Sequence, residues 1–203
     1  MKMKKAIRIA TILLGVLLLV SVAQANDLLI VSGAVSPTDP TQHGRISRNG
    51  VISDWSAPKP FPGVINTTTT YHYTEYSVNV GVTPYIQVTF DSVSPNTFVA
   101  AFLGSYDPTN IGSTYLGDPG GSGNLFGVDP LSFQVFVPVS ETLVVVINNT
   151  AASNGGVGDP YNLIVQGYLD TQFTSTPEPT SLLLLGSGAL GLGGLLRRKL
   201  NLG

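Results

Sequence analysis

Four aspartates in the middle of the chain carry side chains that can act as metal ligands. Asp107, Asp118, Asp129 and Asp159 each stand directly before a proline in a turn-rich segment. Loop carboxylates supply the hard oxygen ligands that Ca²⁺ prefers. The same Asp-Pro pairs have a structural explanation, because Asp bonds to its own backbone and Pro fixes φ in turns. Since no EF-hand spacing is present, the sequence leaves both a calcium site and simple turns open.

Aromatic residues in the first half of the chain can stack against sugar rings. Trp55, Tyr71 and Tyr73 are the candidate glycan-binding residues, with Tyr76 and Tyr85 close by in sequence. The alternative is that these rings pack in the core of a sheet and across neighbouring strands, as aromatic side chains commonly do.

Residue types suited to catalysis are scarce. The chain has two histidines, His43 and His72, and no cysteine. The lack of cysteine excludes disulfides, thiolate metal sites and a cysteine nucleophile. The G-x-G-x-x-G match at residues 186–191 lies in an apolar run and not after a strand, so it is no nucleotide-binding loop. We expect no catalytic residues and a protein that is not an enzyme; a secreted hydrolase that uses His43 is the third hypothesis.

The charges are unevenly distributed along the chain. Of ten basic and twelve acidic residues, only three basic but eleven acidic ones lie between Asp27 and Asp170, which gives that region a net charge of −8. Nucleic-acid binding needs clustered Lys and Arg, so a nucleic acid is excluded as partner. An acidic surface is typical of a soluble exported protein and is compatible with cation binding.

Short runs rich in Val, Ile, Thr, Tyr and Phe alternate with turn clusters through the middle of the chain. Such runs predict strands, at Leu28–Val35, His72–Val80, Tyr85–Asp91, Thr97–Leu103, Leu131–Val137, Thr142–Asn148 and Tyr161–Leu169. Residues 36–70 are irregular, with weak strand propensity at Arg45–Ser47 and Val64–Thr69. The continuous apolar run Leu143–Ile147 predicts a central strand buried on both faces. We therefore predict an all-β domain over residues 26–171, an antiparallel β-sandwich of about seven to nine strands.

Four segments carry a family resemblance, namely "FVAAFLGSYDPTN", "YLGDPGGSGN", "SFQVFVPVSETLVVVINN" and "GDPYNLIVQGY". Over residues 72–169 the chain resembles secreted β-sandwich domains of the pre-peptidase C-terminal type. The closing segment of that family corresponds here to Gly158, Tyr161, Leu163 and Val165, with Asp159-Pro160 intervening. The resemblance implies a non-catalytic accessory module that serves binding or stability.

The first 25 residues read as a secretory signal peptide. Four basic residues are followed by an apolar stretch from Ile9 to Val22 and by the small-x-small pair Ala23 and Ala25. The apolar stretch is short for a membrane span, so we predict cleavage after Ala25 and a mature chain that starts at Asn26.

The last residues combine a polar motif, an apolar run and a basic end. A linker at 172–179 contains Pro177, Glu178 and Pro179, and the uncharged run that follows ends at Arg197, Arg198 and Lys199. About 17 residues can reach roughly 25 Å as a helix, so residues 180–203 are predicted to form a single transmembrane helix with its basic tail. The basic cluster then lies in the cytoplasm and the β-domain outside.

These three parts, in this order, resemble the PEP-CTERM sorting signal of Gram-negative bacteria. The resemblance implies that an exosortase, a membrane protease-transpeptidase, recognises the chain near Pro177-Glu178-Pro179, and that the inner membrane holds it only transiently. The body is then released or attached to the cell surface. Proteins of this family tend to accompany exopolysaccharide and biofilm production.

The sequence therefore predicts an exported cell-surface or extracellular-matrix protein. Its expected role is structural or adhesive, in association with exopolysaccharide or biofilm. The alternative is a carbohydrate- or calcium-dependent binding module. No cofactor is expected apart from the calcium of that alternative.

Overall fold

Nine β-strands occur in the part of the chain that the computed structural model describes, residues 25–56, 58–124 and 130–169. The strands are β1 Asn26–Ala34, β2 Thr41–Ile46, β3 Val64–Asn79, β4 Tyr85–Ser92, β5 Thr97–Leu103, β6 Tyr115–Gly117, β7 Leu131–Phe136, β8 Thr142–Asn149 and β9 Pro160–Tyr168. They form a four-stranded sheet in the order β1-β9-β4-β7 and a five-stranded sheet in the order β2-β3-β8-β5-β6. All pairings are antiparallel.

The main core lies between the two sheets and follows from the period-2 alternation of the strands. In β4 the side chains of Ile86, Val88 and Phe90 are fully buried, whereas the residues between them are half-buried. Successive side chains of a strand point to opposite faces, so these three face the other sheet. The core is completed by Leu143, Val145 and Ile147 of β8 and Leu163 and Val165 of β9, among others.

A second apolar cluster covers the outer face of the five-stranded sheet. Phe98, Ala100 and Phe102 of β5 and Val144 and Val146 of β8 are buried there, packed beneath residues of the connecting segments that include Ile111, Phe61 and Tyr106. Strands β5 and β8 are therefore buried on both faces, because one face meets the main core and the other meets these segments. The four-stranded sheet has no such apolar cluster on its outer face among the described residues.

The prediction of an all-β antiparallel sandwich with seven to nine strands is confirmed, as is the central position of the run Leu143–Ile147. The weak segment Val64–Thr69 joins His72–Val80 in one long strand, β3. The other weak segment, Arg45–Ser47, overlaps the end of β2, while β6 was not predicted. These two short strands lie at the two edges of the five-stranded sheet.

Within the described residues no helix has the length and apolar character needed to cross a membrane. The predicted signal sequence before Ala25, the linker at 172–179 and the predicted helix of 180–203 lie outside the described residues. Strand β1 begins at Asn26 and β9 ends at Tyr168, and the domain boundaries at 26 and 171 stay predictions.

Candidate functional site

The open surface of the four-stranded sheet is built from side chains that alternate with the core residues of β9, β4 and β7. The register of the strands sets these outward residues in rows across the sheet. We call the whole surface, formed by the outward residues of β1, β9, β4 and β7, the outer face. Adjacent rows are about 6.8 Å apart, because two residues of an antiparallel strand rise by that distance.

The first row is aromatic and consists of Tyr168, Tyr85 and Phe136, which are register partners on β9, β4 and β7. The ring centroids of Tyr85 and Phe136 are 5.5 Å apart at 65°. The indole of Trp55 packs edge-on against this row, with its centroid 5.9 Å from Tyr85 and 5.8 Å from Tyr168. Phe136 is 50 % exposed and the other three rings are half-buried. The four rings thus form one partly exposed aromatic patch.

Backbone hydrogen bonds hold Trp55 in this position. Its Nε1 donates to the carbonyl oxygens of Ile86 at 3.1 Å and Val135 at 2.9 Å. The backbone of Ser53 is fixed too, because its carbonyl accepts a hydrogen bond from the amide of Gln134 at 3.0 Å. The chain before Trp55 therefore runs along the edge of β7, and the indole reaches over the sheet. An aromatic side chain whose polar atom is bonded in this way presents its apolar ring in a defined orientation.

The second row is made of amides, namely Gln166, Gln87 and Gln134. Gln134 Nε2 lies 3.4 Å from Gln87 Oε1, and Gln166 Nε2 donates to Asp27 Oδ1 at 2.8 Å. The Tyr168 hydroxyl links this row to the aromatic one, as it lies 3.3 Å from Gln166 Oε1. Each amide has two N–H donors and a carbonyl acceptor, so hydrogen-bonding capacity is left for a ligand.

The far end of the outer face is concave, and its lining includes Val93 and Pro160 beside polar side chains. Beyond the pair Thr89 and Ser132, whose hydroxyl oxygens are 3.1 Å apart, come Ser32, Asn162 and Asp91 on β1, β9 and β4. The Ser32 hydroxyl donates to Asn162 Oδ1 at 2.6 Å. These three residues line a depression of about 430 Å³. The outer face therefore offers aromatic rings at one end, amides in the middle and a depression with polar and apolar lining at the other end.

The electrostatics of the face keep Tyr168 protonated. Partial burial, and next the Asp27 carboxylate, raise the pKa of Tyr168. Its hydroxyl therefore remains a hydrogen-bond donor beyond the pH at which an ordinary tyrosine ionises.

Two of the three aromatic residues singled out from the sequence lie elsewhere. Tyr71 is 1 % exposed and Tyr73 is 8 % exposed, and both belong to β3 of the five-stranded sheet. Tyr73 packs against Tyr106, with ring centroids 5.1 Å apart. The structure does not bring these two tyrosines together with Trp55; it joins Trp55 to Tyr85, Tyr168 and Phe136 instead.

The loop aspartates are also kept apart. Asp118 is fully buried and pairs with Lys59 at 2.6 Å. Asp107 is exposed in a turn, where hydrogen bonds from the Thr109 hydroxyl and amide lower its pKa. Asp159 is half-buried and its amide donates to Gly156 O. Among the described residues no group of three or more acidic or histidine side chains is arranged to hold a metal ion. Asp129 lies outside the described residues.

The two histidines lie in different surroundings. His43 is exposed and lines a depression of about 590 Å³ together with Phe61, Thr67 and Asn110. The ring of His72 contacts the backbone carbonyl of Asp39, with Nδ1 at 3.1 Å.

Several residues of the outer face were missed by reasoning from the sequence, namely Gln87, Gln134, Phe136, Gln166 and Tyr168. The alternation of β4 did carry a signal, because Tyr85, Gln87 and Thr89 are the polar partners of Ile86, Val88 and Phe90. The pairing of β4 with β7 and β9 could not be predicted, because the sequence of one strand does not show with which distant strand, or in which register, it pairs. The residues of the predicted sorting signal, Pro177-Glu178-Pro179 and Arg197-Arg198-Lys199, lie outside the described residues, as does Ala23 of the predicted cleavage site.

Comparison with known proteins finds a sorting motif near the end of the chain. The family model of the PEP-CTERM protein-sorting motif matches residues 175–199. The resemblance of residues 72–169 to the pre-peptidase C-terminal type is not confirmed. No curated protein matches the chain.

Solved structures show weak similarity to the sandwich. The CBM35 of Abf62 from Cellvibrio japonicus matches with 12 % identity and a TM-score of 0.30, over 68 % of this chain and 92 % of that one. The tandem CBM51 modules of Sp3GH98 from Streptococcus pneumoniae match with 12 % identity and a TM-score of 0.30, over 74 % and 51 %. A family two carbohydrate esterase from Cellvibrio japonicus matches with 14 % identity and a TM-score of 0.24, over 69 % and 34 %. TM-scores of this size carry no information on ligand or activity. The chain thus carries a PEP-CTERM sorting motif at its end, and that motif implies export and sorting to the cell surface.

Proposed function

We propose that this exported protein binds a polysaccharide through the outer face of its four-stranded sheet, as a binding protein and not an enzyme. The observation that carries the proposal is the aromatic row beside the glutamine row, on the sheet whose outer face is open. The comparable face of the five-stranded sheet is occupied by an apolar cluster beneath connecting segments.

The chemistry of the two rows fits a sugar. A pyranose ring has apolar C–H faces and a rim of hydroxyl groups. Aromatic rings bury the apolar face, and side-chain amides both donate to and accept from hydroxyls. Because Trp55 and the strands are already fixed by backbone hydrogen bonds, little conformational freedom is lost when a ligand binds.

The length of the face favours a polymer over a single sugar. Four rows separated by about 6.8 Å extend over roughly 20 Å along the strands. An extended ligand can contact the aromatic patch, the amides and the depression together. The acidic character of the domain favours a neutral or cationic glycan, since a polyanion would be repelled.

The sorting motif suggests where this binding occurs. Recognition by an exosortase near Pro177-Glu178-Pro179, after transient retention in the inner membrane, would deliver the sandwich to the cell surface or the extracellular matrix. There a polysaccharide-binding face would serve a structural or adhesive role in exopolysaccharide or biofilm.

The test is isothermal titration of the exported protein against a panel of soluble polysaccharides. For a polysaccharide that binds, Tyr85→Ala and Phe136→Ala should each weaken affinity about tenfold, because each removes an aromatic contact. Gln87→Ala should weaken it about fivefold through lost hydrogen bonds. The matched control is Ile65→Ala, which shortens a 37 % exposed residue on β3 of the other sheet. Equal affinities in all four variants would contradict the proposal.

Calcium-dependent binding is the second candidate, and repeating the titration with EDTA separates the two. Our proposal expects unchanged affinity, because the outer face recognises the sugar with aromatic rings and amides. A loss of binding that added Ca²⁺ restores would favour the calcium-dependent module instead.

A further inference from the structure

A buried ion pair, away from the outer face, places the amine of Lys59 in contact with the carboxyl group of Asp118. Lys59 Nζ lies 2.6 Å from Asp118 Oδ1, and the two side chains are 1 % and 0 % exposed. Lys59 belongs to the long connection between β2 and β3, and Asp118 directly follows β6. The pair therefore ties two segments that are far apart in the chain.

The groups around the pair hold each reacting atom in place. Asp118 Oδ1 accepts a hydrogen bond from the Gly120 amide at 2.6 Å, and Oδ2 accepts one from the Tyr115 hydroxyl. Lys59 Nζ also donates to the carbonyl oxygen of Val51 at 2.6 Å. On the other side, the Asp118 amide donates to Ser53 Oγ at 2.8 Å.

Two physical effects favour a reaction between these groups. Burial of an ion pair is costly, because the desolvation penalty can exceed the Coulombic gain, and a neutral amide in the same place would avoid that cost. Permanent contact of the two groups also replaces a bimolecular encounter by an intramolecular one, which raises the effective concentration by many orders of magnitude.

We propose that Lys59 and Asp118 condense into an intramolecular amide cross-link. One ammonium proton passes to the carboxylate, and the neutral amine of Lys59 attacks Cγ of Asp118. The C–N bond forms, and Oδ1 stays as the amide oxygen with the Gly120 amide as its donor. The bond from Cγ to Oδ2 breaks, and Oδ2 leaves as water, carrying the proton that Oδ1 received from the ammonium group and one from the attacking nitrogen. No oxidant, reductant or further reactant is required.

Tyr115 is the residue in position to relay the last proton. Its hydroxyl already donates to Oδ2, the leaving oxygen. The hydroxyl gives its proton to Oδ2 and regains one from the nitrogen.

Such a cross-link would meet a need of this chain. The sequence has no cysteine, so an exported sandwich of this kind has no disulfide to stabilise it. A covalent link between distant residues constrains the unfolded chain in the way a disulfide does, and an amide is insensitive to reduction. The inference does not depend on glycan binding by the outer face.

The test is the mass of the full-length chain, exported and then fully denatured, compared with its Lys59→Arg variant. Arg keeps the positive charge but does not form the amide. We expect the wild type to be lighter than the variant by the Lys-to-Arg difference plus one water, whatever the processing of the termini. A protease digest should yield one branched peptide that contains both Lys59 and Asp118. A wild-type digest with only linear peptides at both residues would overturn the proposal, even if the variant failed to fold.

The role of Tyr115 is tested by the time course of that mass change after synthesis. Tyr115→Phe should slow the loss of water at least severalfold, whereas Tyr106→Phe should leave it unchanged. Tyr106 is a suitable control because its hydroxyl bonds to Gln42 and not to Asp118. Equal rates in the two variants would overturn the relay.

Discussion

The indole of Trp55 is held by two carbonyl oxygens of neighbouring strands, so a residue in an irregular segment becomes a fixed part of the sheet surface. A single N–H bonded to two backbone oxygens leaves the polar atom satisfied, and the ring packs against Tyr85 and Tyr168. Several tyrosines likewise place their rings against apolar neighbours while their hydroxyl groups are hydrogen-bonded. The hydroxyls of Tyr76 and Tyr161 are 2.8 Å apart, and Tyr115 donates to Asp118.

These buried hydroxyls predict loss of stability at alkaline pH. Burial, followed by the hydrogen bond with Tyr76, raises the pKa of Tyr161 above its ordinary value of 10.0, and burial acts likewise on Tyr106 and Tyr115. Above that value the unfolded chain releases these protons while the folded chain retains them. The free energy of unfolding should therefore be level below the ordinary tyrosine value and fall as the pH rises beyond it.

Urea unfolding at a series of pH values from neutral to strongly alkaline measures this effect. Tyr161→Phe should reduce the slope above the ordinary tyrosine value by up to about 1.4 kcal/mol per pH unit, the contribution of one proton. An unchanged slope in that variant would show that Tyr161 ionises in the folded chain as it does in the unfolded one.

At the scale of elements, the short strand β6 and the segment at residues 51–55 connect the two sheets. Ser53 accepts the amide of Gln134 from the four-stranded sheet and donates its own amide to the carbonyl of Asp118, directly after β6 of the five-stranded sheet. The orientation of Trp55 two residues later thus depends on close packing beside β6.

Gly117 is the position where this packing is closest, and it supplies an element-scale prediction. A Cβ atom there would lie 2.3 Å from Ser53 Oγ and 2.8 Å from Val135 Cγ1, which is too close without movement. Gly117→Ala should therefore shift the Ser53 segment, lower stability by about 1–3 kcal/mol and weaken polysaccharide binding through Trp55.

Gly121→Ala is the matched control, because a Cβ at Gly121 would meet no atom within 4 Å. Thermal unfolding and the same titration applied to both variants give the answer. If Gly117→Ala loses stability but binds as well as Gly121→Ala, the segment does not orient the binding residues.

At the scale of the whole molecule, the sorting motif and the sandwich have separate tasks. The motif at residues 175–199 directs export and sorting to the cell surface, while the candidate binding face lies between Asn26 and Tyr168. This separation predicts that sorting can be abolished without harm to the fold.

Replacement of Pro177 and Glu178 by Ala should leave the full-length chain in the membrane fraction, because the recognised peptide is lost. In the wild type, mass spectrometry of the surface fraction should find a chain that begins at Asn26 and lacks Arg197-Arg198-Lys199. Glu141→Ala, which alters an exposed acidic residue of the sandwich, is the control and should be processed normally. A wild-type surface protein that retains the three basic residues would contradict processing by an exosortase.

The sequence alone determined the class of the fold, because period-2 alternation and Asp-Pro turns are local properties of each segment. It also determined the sorting motif, whose parts are contiguous and therefore readable without a structure. It did not determine the candidate site. Tyr71, Tyr73 and Tyr85 are all tyrosines in segments that predict strands. Tyr71 and Tyr73 are nevertheless buried in the five-stranded sheet, whereas Tyr85 lies on the outer face of the four-stranded sheet.

Only the tertiary structure decided which faces are covered and which distant residues meet. The row of Gln166, Gln87 and Gln134 exists because three strands from different parts of the chain pair in one register. The contact of Lys59 with Asp118 likewise exists because two connecting segments pack on the same sandwich. Both depend on long-range strand pairing and on burial. These are set by contacts between distant parts of the chain and therefore leave no local pattern in the sequence.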